Sequence, residues 1–318
     1  MNVKSPRDLP DFRLWLMDQW RVNAPWDQMA KVQTVEVILG EPIFNIDPRV
    51  QRELLPGAEL WWVTEDMSRL VDHSAKTLPE TTLTESLLPA PHGLVVFAEP
   101  LIGTQCDTGE EIATDVMTWC AANYRRSGER GISIMSYRLV RVGEEMGNAK
   151  YGYKKADIDF WAPTGTTTWI IGANPEDAFE GFKGDDIRTA SLSEDRRWLA
   201  ATWLLASQPI TVANTHHADR AAAKRSRRAN VASDVRVVDL RPRPKTEPAE
   251  GGAGRREHDH RWMVAGPNGD GFWRQQACGP GYSERRPKWI MPYEAGPKDK
   301  PLKVRETVRI LRGDSAET

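Results

Sequence analysis

The residues whose types and spacing best suit chemistry sit near the end of this 318-residue chain. In "EHDHRW", His258 and His260 alternate, so on a strand both face one side, as paired metal ligands do, while Asp259 faces the other. Two ligands do not make a metal centre, and no metal site is expected. His260 has a second use. A histidine that moves a proton while nearby cations stabilise a phosphorane can cleave RNA without a metal. That makes His260, Arg261 and Arg274 the candidate catalytic residues, with Lys288 as a further cation. Asp72 and His73 are adjacent in "EDMSRLVDHSAKTL", but neighbours on a helix point different ways. The sequence has no G-x-x-x-x-G-K-[ST] phosphate loop, no G-x-G-x-x-G turn and no H-E-x-x-H helix, so no cofactor is expected.

Aromatic rings and cations interleave in "GFWRQQACGPGYSERRPKWIMPY", from Gly271 to Tyr293. Rings that stack on bases and arginines that meet phosphates suit single-stranded nucleic acid or RNA. The other reading is a small β core of Trp262, Trp273, Trp289 and Ile290, covered by the aliphatic stems of Arg and Lys. Alternation separates the two. On a regular strand Trp289, Met291 and Tyr293 share one face, and Lys288 and Ile290 share the other. The tryptophans are therefore expected in the core, and Arg274, Arg285, Arg286 and Lys288 at the functional surface. A second basic element is "ADRAAAKRSRRAN". There Arg220, Lys224 and Arg228 fall at i, i+4 and i+8, with Arg225 and Arg227 nearby. Such a stripe contacts phosphates without reading bases, or is a solvated helix face.

Charge supports an anionic partner for this half of the chain. From His216 to Arg312 there are 22 Lys and Arg against 12 Asp and Glu, a net of +10, while the remainder carries −12. The split implies a nucleic acid partner for the basic part, or docking of one half on the other, with a protein partner or self-association through the acidic domain as in a dimer where +10 meets −12. With 40% hydrophobic and 28% charged residues, most of the chain can bury a core. The three cysteines lack C-x-x-C spacing, which excludes a zinc ribbon and a disulfide framework. "MNVKSPRDLPDFRLW" has no signal-peptide pattern, and "WLAATWLLA" is far shorter than a membrane span. A soluble, cytoplasmic protein with no membrane partner is expected.

Positioning these groups requires an α+β fold: a mixed, acidic N-terminal domain over 1–215, a basic helix and strand over 216–241, a linker over 242–257 and a small, mainly β basic domain over 258–312. Asp11–Val37 is expected to be helical with a break near "NAPW", presenting Leu14, Trp15, Met17, Trp20 and Val22 to a core. "ELWWVT" reads as a strand, and Thr64 as the cap of a helix carrying Met67, Leu70 and Val71. "LVVFA", "GISIMSYRLVRV" and "TTTWIIGAN" read as strands. Ser191 and Glu194 have capping-box spacing at the head of a mostly buried helix that Pro209 stops. "RPRPKTEPAEGGAGRREHD" has a linker's composition. The stretches after it, "HRWMVAG", "FWRQQA", "PKWIMPY" and "ETVRILR", alternate with Gly/Pro turns, as short strands do.

The C-terminal block, through "HRWMV", "FWRQQ", "GPGYSERRPKWIMPY" and "GPKDKPL", resembles a family of proteins of uncharacterised activity found in actinobacteria and their phages and plasmids. Weaker echoes in "LWWVTEDMSRL", "LPAPHGLVVFAEPL" and "SEDRRWLAATWLLASQP" extend the resemblance over most of the chain. The family pattern has G-H-W-R where this chain has "GDGFWR", so Phe272 replaces a histidine, and "PNGD" is an added turn. The resemblance implies a phage or mobile-element setting and supplies no activity. The leading expectation is an accessory protein that binds nucleic acid through its basic C-terminal region. The alternatives are a metal-independent nuclease or phosphate-handling enzyme built on His260, and a protein–protein interaction module.

Overall fold

The computed structural model describes residues 3–28, 48–104, 111–123, 129–148, 152–174, 186–241, 260–266, 270–297 and 299–303, with backbone alone at 123, 145–148, 152–155 and 186–193. Helix α1 (Leu9–Gln19) buries Leu9, Phe12 and Leu16 at helical spacing, and Trp20 follows it into the core. Of the residues expected to face a core, Trp20 is buried and Trp15 and Met17 pack against it, whereas Val22 lies past the end of the helix and is 59% exposed. Arg13 lies on the buried face and donates from Nη1 to Ala58 O at 3.3 Å and from Nη2 to Ala232 O. Burial pulls its pKa down to about 10. Helix α2 (Pro48–Gly57) adds Leu54 and Leu55 to the same core.

Strand β1 (Glu59–Val63) alternates cleanly: Leu60 and Trp62 face α1 and α2, while Trp61 and Val63 face the opposite side. Helix α3 (Glu65–Lys76) covers that opposite side with Met67, Val71 and Ala75. Thr64 has the extended backbone of an N-cap, but its hydroxyl donates to Asp239 Oδ1 at 2.7 Å instead of capping. Glu65 and Asp66 still lie at the positive end of the helix dipole.

Strands β2 (His92–Thr104), β3 (Glu111–Asn123), β4 (Arg130–Val140) and, after the short β5 (Glu145–Asn148) and β6 (Gly152–Lys155) pair, β7 (Phe160–Ile170) form an antiparallel run. Two prolines shape it. Pro100 lies in the bulge where the β2–β3 register shifts between Val96 and Leu101. Pro163 lies beside the β4–β7 shift, on an edge strand that tolerates a missing donor. Helix α4 (Asp186–Ala206) then returns across the α3 face and buries Trp198, Leu199, Trp203 and Leu205. It begins five residues before the expected cap, so Ser191 lies inside it. Glu194 is engaged elsewhere, accepting from Thr104 N at 2.7 Å and from its hydroxyl at 3.2 Å.

After β8 (Thr211–His216) and α5 (Arg220–Arg228), β9 (Val235–Leu240) inserts beside β1. The finished sheet has seven strands in the order β7-β4-β3-β2-β1-β9-β8, with β1 parallel to both neighbours. The boundary expected at 215/216 therefore falls inside one sheet, because β8 and β9 pair across it. The backbone groups of β1 need partners on both edges, and the basic segment supplies one of them.

The fold is α+β, with a small β unit at the C-terminal end. β10 (Trp262–Val264) pairs with β13 (Tyr293–Ala295), and β11 (Phe272–Cys278) pairs with β12 (Glu284–Ile290). This unit shares the main core, since Trp289 is 1% exposed within the cluster of α3 and α4. The linker at 242–257, His258 and "ETVRILR" lie outside the described residues. Nine of the thirteen tryptophans are buried, which settles what this unusual content is mainly for.

Candidate nucleic-acid interface

The β11–β12 ribbon separates aromatic from cationic side chains by its register. Trp273 pairs with Trp289, Gln275 with Pro287 and Ala277 with Arg285, and these six share one face. Phe272, Arg274, Gln276 and Cys278, opposite Ile290, Lys288, Arg286 and Glu284, share the other. The tryptophan face turns inward. The Trp273 indole donates to Ser74 O at 2.8 Å, Trp289 N donates to Gln208 Oε1 at 3.0 Å, and the two rings meet edge to face at 5.2 Å. Gly271 permits this contact, because a Cβ there would fall 2.5 Å from the Trp289 ring. His73 lies across the Trp289 ring at 5.9 Å and approaches Asp270 at 3.7 Å.

The outward face carries Arg274, Arg286 and Lys288. Among the described residues none of the three is in an ion pair, and Arg274 donates only to Gln276 Oε1, at 2.8 Å. Arg285 is on the tryptophan face but beyond the docked root, and it is exposed. Expected alternation holds as far as Ile290. It breaks at Met291–Pro292, so Tyr293 belongs to β13 and is 49% exposed.

Helix α5 forms as expected, with Asp219 as its cap. The Asp219 carboxylate accepts from Ala221 N and Ala222 N at 2.8 Å each, and these bonds hold its pKa below the usual range. Ala222 and Ser226, one turn apart, are buried. Arg225 clamps the helix to α1, donating from Nε to Asp11 Oδ1 at 2.7 Å and from Nη2 to Asp11 Oδ2 at 2.6 Å. That bond raises the Arg225 pKa. Arg220, Lys224 and Arg228 remain exposed. Because α1 packs on one side of the sheet and Trp289 on the other, the helix cations and the ribbon cations occupy opposite faces. The two basic elements do not form one surface.

The residues proposed for acid/base chemistry are divided as well. Arg261 is held by the C-terminal unit, donating from Nε to Lys300 O and from Nη1 to Glu294 Oε2, both at 2.9 Å. His260 packs near Trp262 at the head of the β10–β13 pair, whereas Arg274 lies on the separate β11–β12 ribbon. No group of three His, Cys, Asp or Glu able to hold a metal occurs among the described residues. His217 is exposed and lies 3.1 Å from Asp234.

Two features lie outside what the sequence pattern predicts. One is Tyr282, at the ribbon tip, which is 75% exposed. Its signal was the "GPGY" turn, legible as a turn but not as an unusual tyrosine backbone. The other is Asp195 on α4, whose carboxyl accepts from Ser136 Oγ at 2.9 Å and is pushed by burial up to about 7. Its charged neighbours Glu194, Arg196 and Arg197 make Asp195 read as part of a solvated stretch.

Fold and surface together define an α+β protein whose central mixed sheet carries an exposed basic β-ribbon. No protein-family model and no curated protein matches the chain. The solved structure of AcrVA2 is similar over 90% of this chain and 93% of that one, at 12% identity and a TM-score of 0.33. No helix among the described residues is long and apolar enough to cross a membrane.

Proposed function

We propose that the protein binds nucleic acid through the β11–β12 ribbon, as a cytoplasmic accessory protein of the phage or plasmid setting that its resemblance implies. The observation that carries this reading is the shared outward face of Arg274, Arg286 and Lys288, cations without carboxylate partners among the described residues, on a ribbon rooted by two tryptophans. Their flexible stems reach a backbone of phosphates without base specificity. A fluorescence anisotropy titration with single-stranded oligonucleotides at several salt concentrations tests it. Three phosphate contacts give a log–log salt slope of roughly −2, at about −0.7 each. Absence of binding at low salt would remove nucleic acid as the partner.

The interaction-module reading draws support from one contact. Arg225 on the basic segment docks on Asp11 of the acidic part, so some of the charge asymmetry serves intrachain packing. The nuclease reading has no comparable support, because Arg261 is engaged by Glu294 and Lys300 O, and Arg274 by Gln276.

A further inference from the structure

The turn at the ribbon tip runs Gly279-Pro280-Gly281-Tyr282. Gly279 and Gly281 adopt φ of +74° and +61°, a region open to glycine, but Tyr282 adopts φ of +58°. An L residue with a bulky side chain is disfavoured there, and such conformations persist where surrounding structure imposes them. The surroundings are visible. Tyr282 N donates to Gly279 O at 3.2 Å, Ser283 Oγ donates to Pro280 O at 3.0 Å, and Pro280 fixes its own φ. Burial of the ring is not what the strain achieves, since Tyr282 is the most exposed of the large hydrophobic side chains described. The result is an aromatic ring held out on a short, pinned turn.

Its position along the ribbon gives that ring a context. Successive ranks of the outward face carry Arg274 with Lys288, then Gln276 with Arg286, then Cys278 with Glu284, about 7 Å apart. The tip lies immediately beyond. Glu284 sits against Gly279 and repels a phosphate at the last rank, so a backbone following the cations is directed to Arg286 and no further. A base attached to that backbone reaches the tip. Resting on the reading of the ribbon as a nucleic-acid interface, we propose that Tyr282 is a stacking platform for one unpaired base of a single strand. A paired base is covered by its neighbours within the duplex, whereas an unstacked base presents its face to an exposed ring.

The test uses the full-length protein and an oligonucleotide carrying 2-aminopurine, whose fluorescence is quenched on stacking. Wild type and Tyr282→Phe should quench it. Tyr282→Ala should abolish the quench and weaken binding about tenfold, within the range of base–aromatic stacking. Tyr282→Gly removes the ring while relieving the backbone, so it should behave like Tyr282→Ala and melt no lower than wild type. The salt slope should stay unchanged in all three, because no charge is lost. An abasic strand should bind wild type and Tyr282→Ala equally. If the Tyr282 variants bind and quench like wild type while Arg286→Ala weakens binding, the stacking inference is overturned and the ribbon reading stands. Equal loss of affinity by Tyr282→Ala for a blunt duplex would also overturn it. If no strand binds wild type, both readings fall together.

Discussion

Trp273 donates its indole N–H to the carbonyl of Ser74 at 2.8 Å, 199 residues earlier in the chain. The acceptor belongs to the last turn of α3, where Ser74 O also accepts from Thr77 N at 3.2 Å. The bond therefore ties the ribbon root to the end of α3. Trp273→Phe should lower stability by about 1 kcal/mol, the worth of one neutral hydrogen bond. Trp289→Ala empties part of the shared core and should cost about 3–5 kcal/mol. Thermal melts of both variants check the ranking, and a smaller loss for Trp289→Ala would contradict its place in the core.

The opposite placement of the two basic elements gives a second prediction. Arg274→Ala and Arg286→Ala should each weaken binding to a single strand and flatten the salt slope by about 0.7. Their melting temperatures should stay near wild type, as exposed cations contribute little to stability. Combined substitution of Arg220, Lys224 and Arg228 by Ala should leave the isotherm almost unchanged. Binding lost through α5 alone would move the interface to the other face of the sheet.

Asp195 gives a prediction about pH. Its folded pKa, pushed up to about 7 mainly by burial, lies above the ordinary 3.8 of the unfolded chain. Between these values the folded state holds a proton that the unfolded state has released. Its contribution to stability is therefore greatest below about pH 3.8 and declines as pH rises to 7. Asp195→Asn keeps an acceptor for Ser136 and removes the titration. It should melt a few degrees above wild type at pH 8 and near wild type at pH 4. Parallel profiles for the two proteins would contradict the assignment.

Gly93 on β2 lies under Trp119, and a Cβ there would fall 2.0 Å from the ring. The ring cannot move freely, because its N–H donates to Ala90 O at 2.9 Å and it packs against Trp203 at 5.3 Å. Gly93→Ala should destabilise by about 1–3 kcal/mol through overpacking. Substitution of Gly143, where nothing among the described residues lies within 4 Å, tests only its positive φ and makes a suitable comparison in the same melts.

Local pattern carried the strands and the first helices of the sheet. "LWWV" is continuously apolar because its strand is buried on both faces, and "EDMSRLVDHSAK" carries one apolar stripe because α3 is covered on one side. The cap of α4 was misplaced because Ser191 and Glu194 satisfy a local rule, while Glu194 answers to Thr104 across 90 residues. The same limit applies to the interface. Alternation placed Trp289 inward and Lys288 outward. It could not show that α5 and the ribbon end on different faces, since that depends on β9 inserting beside β1.

That insertion also sets an order of events during synthesis. Thr64, at the end of β1, meets Asp239 across 175 residues. A ribosome adding roughly 5–20 residues per second delivers that partner about 9–35 s after β1. Until then one edge of a strand bearing Trp61 and Trp62 is open, a template for pairing with other chains. Translation products that stop short of β9 keep that edge open permanently. Such fragments should be the aggregating species in expression, and a chaperone that shields nascent apolar strands should bind them in preference to the finished chain.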